Sequence, residues 1–332
     1  MGLANSAWLP AHGKLWYDDK WYRLAWIVWP QALAAAVVLW FWAMPSTGKN
    51  AKWAVPIDPS KRYEQLIALR DAAKSSQASM DRLEKDALGG EASAQFFYAT
   101  LYDPDLKLST IVQPDAVRAT GWYARAANQG DQGSMSNLAI GYSNGTYIRQ
   151  DLTRACFYAR NIGSGGFSAG LRVKGDCFAR GLGGTTVDLV QAANAYELSA
   201  NKGSWRATAA LGYFYENGLG GRPKSNETAL KYYRAAADKG DSLGLHNLGA
   251  AYNSGLLGLQ RDPEEAARLI IRALETKYDV TVQSLTTRPE VWTSEFWQYL
   301  QRRLAEKGLY NGQIDGRANS ATLDAVRRLG KG

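Results

Sequence analysis

The chain has 332 residues, a formal net charge of +8, two cysteines and two histidines. That length admits two or three compact domains, or one extended array with appendages. The positive balance suits anionic partners such as acidic proteins, lipid head groups or cell-wall polymers, whereas nucleic acid is disfavoured because there is no basic helix, aromatic-basic sheet motif or zinc spacing.

Residues 1–24 form a short head containing Trp and Tyr, with no apolar period long enough to fold alone. From Ala25 to Met44 runs a stretch without a charge, which as a helix spans roughly 30 Å and matches the hydrocarbon core of a bilayer. Trp21, Trp26 and Trp29 stand at one end and Trp40 and Trp42 at the other, as aromatic belts do. A single transmembrane helix over 25–44 is expected. A cleaved signal peptide competes with this reading, but the bulky WFWAMP end offers no small-residue cleavage site. Lys14, Lys20 and Arg23 before the span are balanced by Lys49, Lys52, Lys61 and Arg62 after it, so charge does not set the orientation. Residues 45–60, with Pro56 and Pro59, read as a linker.

Helical apolar spacing begins at Lys61–Ala73 and continues at Met80–Leu88, closed by Gly89 and Gly90. This pair, 61–90, reads as a degenerate first repeat that caps the array. Over 93–278 two elements alternate. One is Leu211, Gly212, Tyr215 and Gly218, repeated as Leu248, Gly249, Tyr252 and Gly255, and more loosely as Leu138, Tyr142 and Gly145 and as Gly175, Phe178 and Gly181. The terminal glycines at 145, 181, 218 and 255 set a period of 36 or 37 residues. The other is Ala229, Tyr232, Tyr233, Ala236, Ala237 and Gly240, matching Ala119, Trp122, Tyr123, Ala126, Ala127 and Gly130. It recurs, eroded, at Ala192, Tyr196, Ala200 and Gly203 and at Ala155, Tyr158 and Gly166. In both, the small and apolar residues fall three, four and seven apart, the spacing of one helix face. Each repeat is therefore two helices. Alanines and the internal glycine let backbones approach, aromatics fill the space between pairs, and the terminal glycines suit the left-handed position after a helix end.

These residues resemble the Sel-one-like repeat, a cousin of the tetratricopeptide repeat, over somewhat more than half of the chain. The resemblance implies an all-α fold, an α-solenoid of stacked helix pairs over 61–281 following the transmembrane helix, and a protein-holding role. The fifth copy carries Lys277 where the others have glycine. In stacked pairs the first helix usually lines the concave face, so Asn137, Ile140, Thr208, Tyr213, His246, Asn247 and Ala250, outside the motif, are the expected partner-binding residues. Asp103 to Pro114 is longer than the matching loops and is a second candidate contact. Cys156 and Cys177 lie about equally far from the turn near Ser164–Gly166, on neighbouring antiparallel helices. Either they form a disulfide, closing a loop of about 20 residues and contributing roughly 3 kcal/mol, or they are two small buried hydrophobes.

After an expected break at Ser284–Pro289, residues 290–332 carry L-Q-R-R-L, then Leu309 to Gly316, then T-x-x-A-V-R-R. This order resembles the first half of the small helical peptidoglycan-binding domain, which would give Tyr310, Asn311, Gln313, Asp315 and Arg317 a wall-binding role. Ala318 and Asn319 depart from the family pattern and its second half is absent, so a piece that caps the last repeat is the other reading.

Little points to an enzyme. His12 and His246 do not make a two-histidine metal spacing, and no metal or other cofactor is expected. The glycines at 181–184 and 218–221 follow a helix rather than a strand and recur in phase, so they are inter-helix turns and not phosphate loops. Glu264 and Glu265 behind Pro263 complement a helix start. The sequence thus reads as a single-pass inner-membrane protein with residues 1–24 cytoplasmic and the bulk periplasmic. It would act as a scaffold or adaptor for protein partners in envelope assembly, morphogenesis or polysaccharide export. A regulatory binding protein acting on an extracytoplasmic sensor is the alternative, and a wall- or polysaccharide-remodelling enzyme a distant third.

Overall fold

The computed structural model describes residues 59–277 and 279–331, which form fifteen α-helices and, among the described residues, no strand. The helices pair in order: α1 (Pro59–Ala73) with α2 (Gln77–Leu88), α3 (Ala92–Tyr102) with α4 (Ala116–Asn128), and α5 (Gln132–Asn144) with α6 (Leu152–Arg160). Next come α7 (Ser168–Arg180) with α8 (Leu189–Asn201), α9 (Trp205–Asn217) with α10 (Asn226–Asp238), and α11 (Ser242–Ser254) with α12 (Pro263–Glu275). Each helix of the array from α2 to α12 packs on the next, and α5 on α7 and α9 on α11 tie neighbouring pairs together. The chain closes with α13 (Asp279–Thr287), α14 (Ser294–Glu306) and α15 (Ser320–Lys331).

Local chemistry explains the boundaries. Gly145, Gly181, Gly218 and Gly255 end α5, α7, α9 and α11 in the left-handed conformation, each with φ between 64° and 69°, where a Cβ would be strained. The second helix of each repeat begins on a side-chain cap, Asp115, Asp151, Asp188, Ser225 or Asp262, whose oxygen accepts an otherwise orphaned N–H. The same cap residue donates its own N–H to the carbonyl of the aromatic residue near the end of the preceding helix: Asp115 to Tyr102, Asp151 to Tyr142, Asp188 to Phe178, Ser225 to Tyr215 and Asp262 to Tyr252, at 2.7–3.0 Å. This backbone clamp folds each pair. Lys277 takes φ 58° where Gly130, Gly203 and Gly240 stand in earlier repeats, so the turn geometry is kept without the glycine.

Two boundaries differ from the sequence reading, and one helix is shorter than its neighbours. Pro59 and Ser60 belong to α1 rather than to the linker, because proline fits the first turn of a helix, where its missing N–H is no loss. The break after the array falls after Thr287, since the Thr286 and Thr287 hydroxyls bond the Val282 and Gln283 carbonyls and keep the last turn of α13 helical. α6 has nine residues where the other array helices from α4 to α12 have thirteen. The expected cytoplasmic head, the membrane span over 25–44 and nearly all of the linker lie outside the described residues. Among those described, no helix is long and apolar enough to cross a membrane.

The core is built on one contact. The ring of Tyr233 on α10 lies where a Cβ on Gly212 of α9 would be, 2.6 Å from that position, and Tyr196 on α8 lies 2.4 Å from the corresponding point on Gly175 of α7. Both tyrosines are fully buried. Gly212→Ala should therefore lower stability by about 1–3 kcal/mol through overpacking. Gly121→Ala, on α4 where an added Cβ meets open space, should raise stability by about 0.5–1 kcal/mol from helix propensity alone. Urea unfolding of the two variants checks the opposite signs.

Candidate interaction surface

Each core tyrosine also satisfies its hydroxyl. Tyr123 donates to Asp103 at 2.8 Å, Tyr196 to Asp176 at 2.8 Å and Tyr233 to Glu216 at 2.7 Å. Burial raises the pKa of all three hydroxyls well above the ordinary tyrosine value, and the carboxylate beside each adds to the rise. Burial likewise raises Asp103 and Glu216 above ordinary carboxyl values, partly offset by the tyrosine's hydrogen bond. The carboxamides of Asn137 and Asn247, from the following repeat, face the Tyr123 and Tyr233 hydroxyls and counter part of the tyrosine shift.

The expected concave-face residues divide by burial. Thr208, Tyr213 and His246 are only 6%, 9% and 3% exposed. Asn137, Ile140, Asn247 and Ala250 are half-buried. The first helices pack on one another from layer to layer: α5 against α7, α9 against α11, and α11 against α13. Thr208 turns its hydroxyl back to the Ser204 carbonyl at 3.0 Å. His246 faces Trp292 edge-on, with 5.8 Å between ring centroids. Tyr215 instead stacks on Tyr232, with centroids 5.5 Å apart. The acids that complete the tyrosine contacts leave only a broken signal in the sequence: Asp103 and Glu216 each follow a clamped aromatic, but Asp176 stands one helical turn earlier in its repeat.

The loop 103–115 is a built structure. Asp103 is buried and accepts from Tyr123 and from the Asp105 N–H, while the Thr110 N–H and hydroxyl reach back to the Lys74 carbonyl at the end of α1, at 2.8 and 3.0 Å. Leu106 and Ile111 remain exposed on it.

In the tail, Gln301 on α14 is the polar centre. Its amide donates to Asp315, the Arg317 carbonyl and Thr322 at 2.9–3.0 Å, and its carbonyl accepts the Gly316 N–H at 2.9 Å. Of the five expected wall-binding residues, Tyr310 is buried with its hydroxyl on the Gln313 carbonyl, and Asp315 is half-buried and bonded to Gln301 and to the Arg317 N–H. Asn311, Gln313 and Arg317 are exposed. Tyr310 and Asn311 line an open cleft of about 540 Å³ together with Ala321, Asp324, Arg327 and Arg328. The other three expected residues lie outside it. Phe296, Trp297, Leu300, Leu304 and Val326 share one core with Ala266, Ile270 and Leu274 of α12, so the tail covers the last repeat.

Cys156 and Cys177 are joined in a disulfide, with Cα atoms 5.8 Å apart, linking α6 to α7. Among the described residues no group of three or more His, Cys, Asp or Glu side chains is placed to hold a metal ion.

Tandem helix pairs with a fixed glycine-ended period define the protein as an α-solenoid. The Sel1 repeat model matches residues 92–131, 133–162, 175–204, 205–241 and 242–275, just over half of the chain, and the protein belongs to the Sel1 repeat family. Its fold is similar to that of a Sel1 repeat protein from Oxalobacter formigenes, at 25% identity over 72% of this chain and 91% of that one, with a TM-score of 0.52. It also matches c5321, a protective antigen of uropathogenic Escherichia coli strains with an SLR fold, at 21% identity, 76% and 63% coverage and a TM-score of 0.43. A third match is Pseudomonas aeruginosa PA5086, at 20% identity, 72% and 82% coverage and a TM-score of 0.38. No curated protein matches the chain. Sel1 repeats generally mediate protein–protein interactions and are typically non-catalytic.

His246 generates a pH prediction. Burial lowers its pKa from the ordinary value to about 4, and its Nδ1 has no hydrogen-bond partner. The folded state therefore resists a proton that the unfolded chain accepts. Stability should be intact above about pH 6.5 and be lost progressively toward pH 4, by roughly 3 kcal/mol in the limit. His246→Leu should flatten this loss, as measured by thermal melts across that range against the parent chain.

Proposed function

We propose that this Sel1 repeat protein is a single-pass membrane scaffold, anchored through residues 25–44, whose array lies in the periplasm and holds protein partners in cell-envelope assembly, morphogenesis or polysaccharide export. The observation that carries the compartment is the Cys156–Cys177 bond, which joins the chain's only two cysteines. Structural disulfides persist in oxidising compartments and are rare in the cytosol. The uncharged span from Ala25 to Met44 supports the anchor.

Within that reading the partner contacts are the surfaces that packing leaves free. Thr208, Tyr213 and His246 are buried, so the half-buried Asn137, Ile140, Asn247 and Ala250 and above all the loop 103–115 are the proposed contacts. In that loop Thr110 is tied to the Lys74 carbonyl and the Asp103 side chain to Tyr123, so Leu106 and Ile111 are presented on a fixed frame. A preformed loop loses little conformational entropy on binding. The exposed Asn311, Gln313 and Arg317 of the tail keep a peptidoglycan contact available as a second attachment.

A reporter enzyme that is active only after export, fused after Gly332, should be active in cells. Activity only of a reporter confined to the cytoplasm would overturn the periplasmic assignment. A photo-crosslinker at position 106 or 111 should yield a discrete membrane-protein adduct, and the same probe at the buried position 208 should not. Equal labelling from both positions would remove the loop as the contact.

A further inference from the structure

The apolar core of the array thins at the α6–α7 joint. One cluster runs from Leu66 on α1 to Ala155 on α6, and another from Phe178 on α7 to Ala273 on α12. Between them the buried apolar residues are Ala139, Cys156, Ala159, Ile162, Leu171, Val173 and Cys177, with Leu182 and with Met135 and Tyr158, which also pack on the first cluster, partly buried against them. Four independent features coincide here. Ala159 stands in the eroded repeat at the place of the buried Tyr123, Tyr196 and Tyr233, so the ring that crosses from α6 to α5 is the half-buried Tyr158, stacked on Tyr142 at 6.2 Å. α6 is the shortest helix of the array. The connection after it carries Gly163, Gly165 and Gly166. Residues 163–174 fall between two matched Sel1 copies.

What else crosses the joint is mostly polar. The Phe167 N–H donates to Ser136 Oγ at 3.0 Å and Lys174 Nζ to the Ile162 carbonyl at 2.6 Å. One ring contact, Phe96 on Phe167 at 6.0 Å, involves an exposed phenylalanine. In a solenoid, cooperativity between neighbours depends on the strength of each interface. Hydrogen bonds contribute little net stability compared with a buried aromatic ring. The covalent bond therefore stands where the apolar coupling is weakest.

We propose that the Cys156–Cys177 disulfide is a redox-sensitive coupling device: intact, it makes the blocks on either side of the α6–α7 joint unfold as one unit, and reduced, it leaves a hinge between two independently stable blocks. The reductant is a dithiol. Its thiolate attacks one sulfur, a mixed disulfide forms, and its second thiol closes the reductant's own disulfide. Two electrons and two protons pass to the protein, leaving Cys156 and Cys177 as thiols. Access comes through local opening of the glycine-containing connection at 161–167, since both sulfurs are buried.

Hydrogen exchange of the full-length protein, read by mass spectrometry along a urea series, tests this. In the oxidised protein, peptides within 66–142 and within 189–304 should lose protection at one urea concentration. After phosphine reduction, and in a Cys156→Ala/Cys177→Ala variant, the two sets should separate by about 1 M urea or more. A single shared transition in the reduced protein, whether at lower urea or already complete without urea, would overturn the proposal. So would two separated transitions in the oxidised protein.

Discussion

A tyrosine ring laid on a helix that has no Cβ to meet it is the contact on which the array depends. Gly212 and Gly175 are mid-helix glycines, normally a liability of about 1 kcal/mol each. Here each admits a fully buried ring, and burying so large a side chain outweighs that cost. The ring brings its hydroxyl into the interior, so an acid must accompany it: Glu216, Asp176 or Asp103. Asp103 and Glu216 are thereby partly desolvated and their pKa values rise. Glycine, tyrosine and carboxylate form one dependent set, and changing any member leaves the other two badly placed.

Much of this was legible in the sequence. Glycines at a period of 36 or 37 residues set the phase, and alanines and aromatics at helical spacing marked the two faces of each pair. The acids were hard to read, because Asp103 and Glu216 follow the clamped Tyr102 and Tyr215 while Asp176 precedes the clamped Phe178, and only the folded chain brings all three to equivalent hydroxyls. The burial of part of the first-helix set was hidden for a related reason. Helical spacing tells which residues share a face, but Thr208, Tyr213 and His246 are covered by a neighbouring layer whose position spacing does not encode. Ala159 was readable only as an eroded copy, since a missing ring has meaning only beside the core it would have filled.

The ends of the array are handled differently from its middle. At the N-terminal end of the described chain, α1 and α2 contribute Leu66, Met80 and Leu83 to the first core, giving α3 a dry neighbour. At the other end, Trp292, Phe296 and Trp297 close over α12, and Gln301 ties together the loop that a free helix pair would leave unsupported. A stack of helix pairs needs such closure, because its last apolar face would otherwise meet water.

The backbone clamp between each second-helix cap and the preceding aromatic carbonyl uses only main-chain atoms at its closing bond. It shuts across the short 145–151 connection and across the longer 103–115 loop alike, from Asp151 to Tyr142 and from Asp115 to Tyr102. Loop length is thereby uncoupled from stacking, and lengthening a closed loop carries only a slowly growing entropic cost. Sequence can be inserted or exchanged between clamp points while the helices keep their register. The rim of such a solenoid is the part in which new recognition can arise without renegotiating the core.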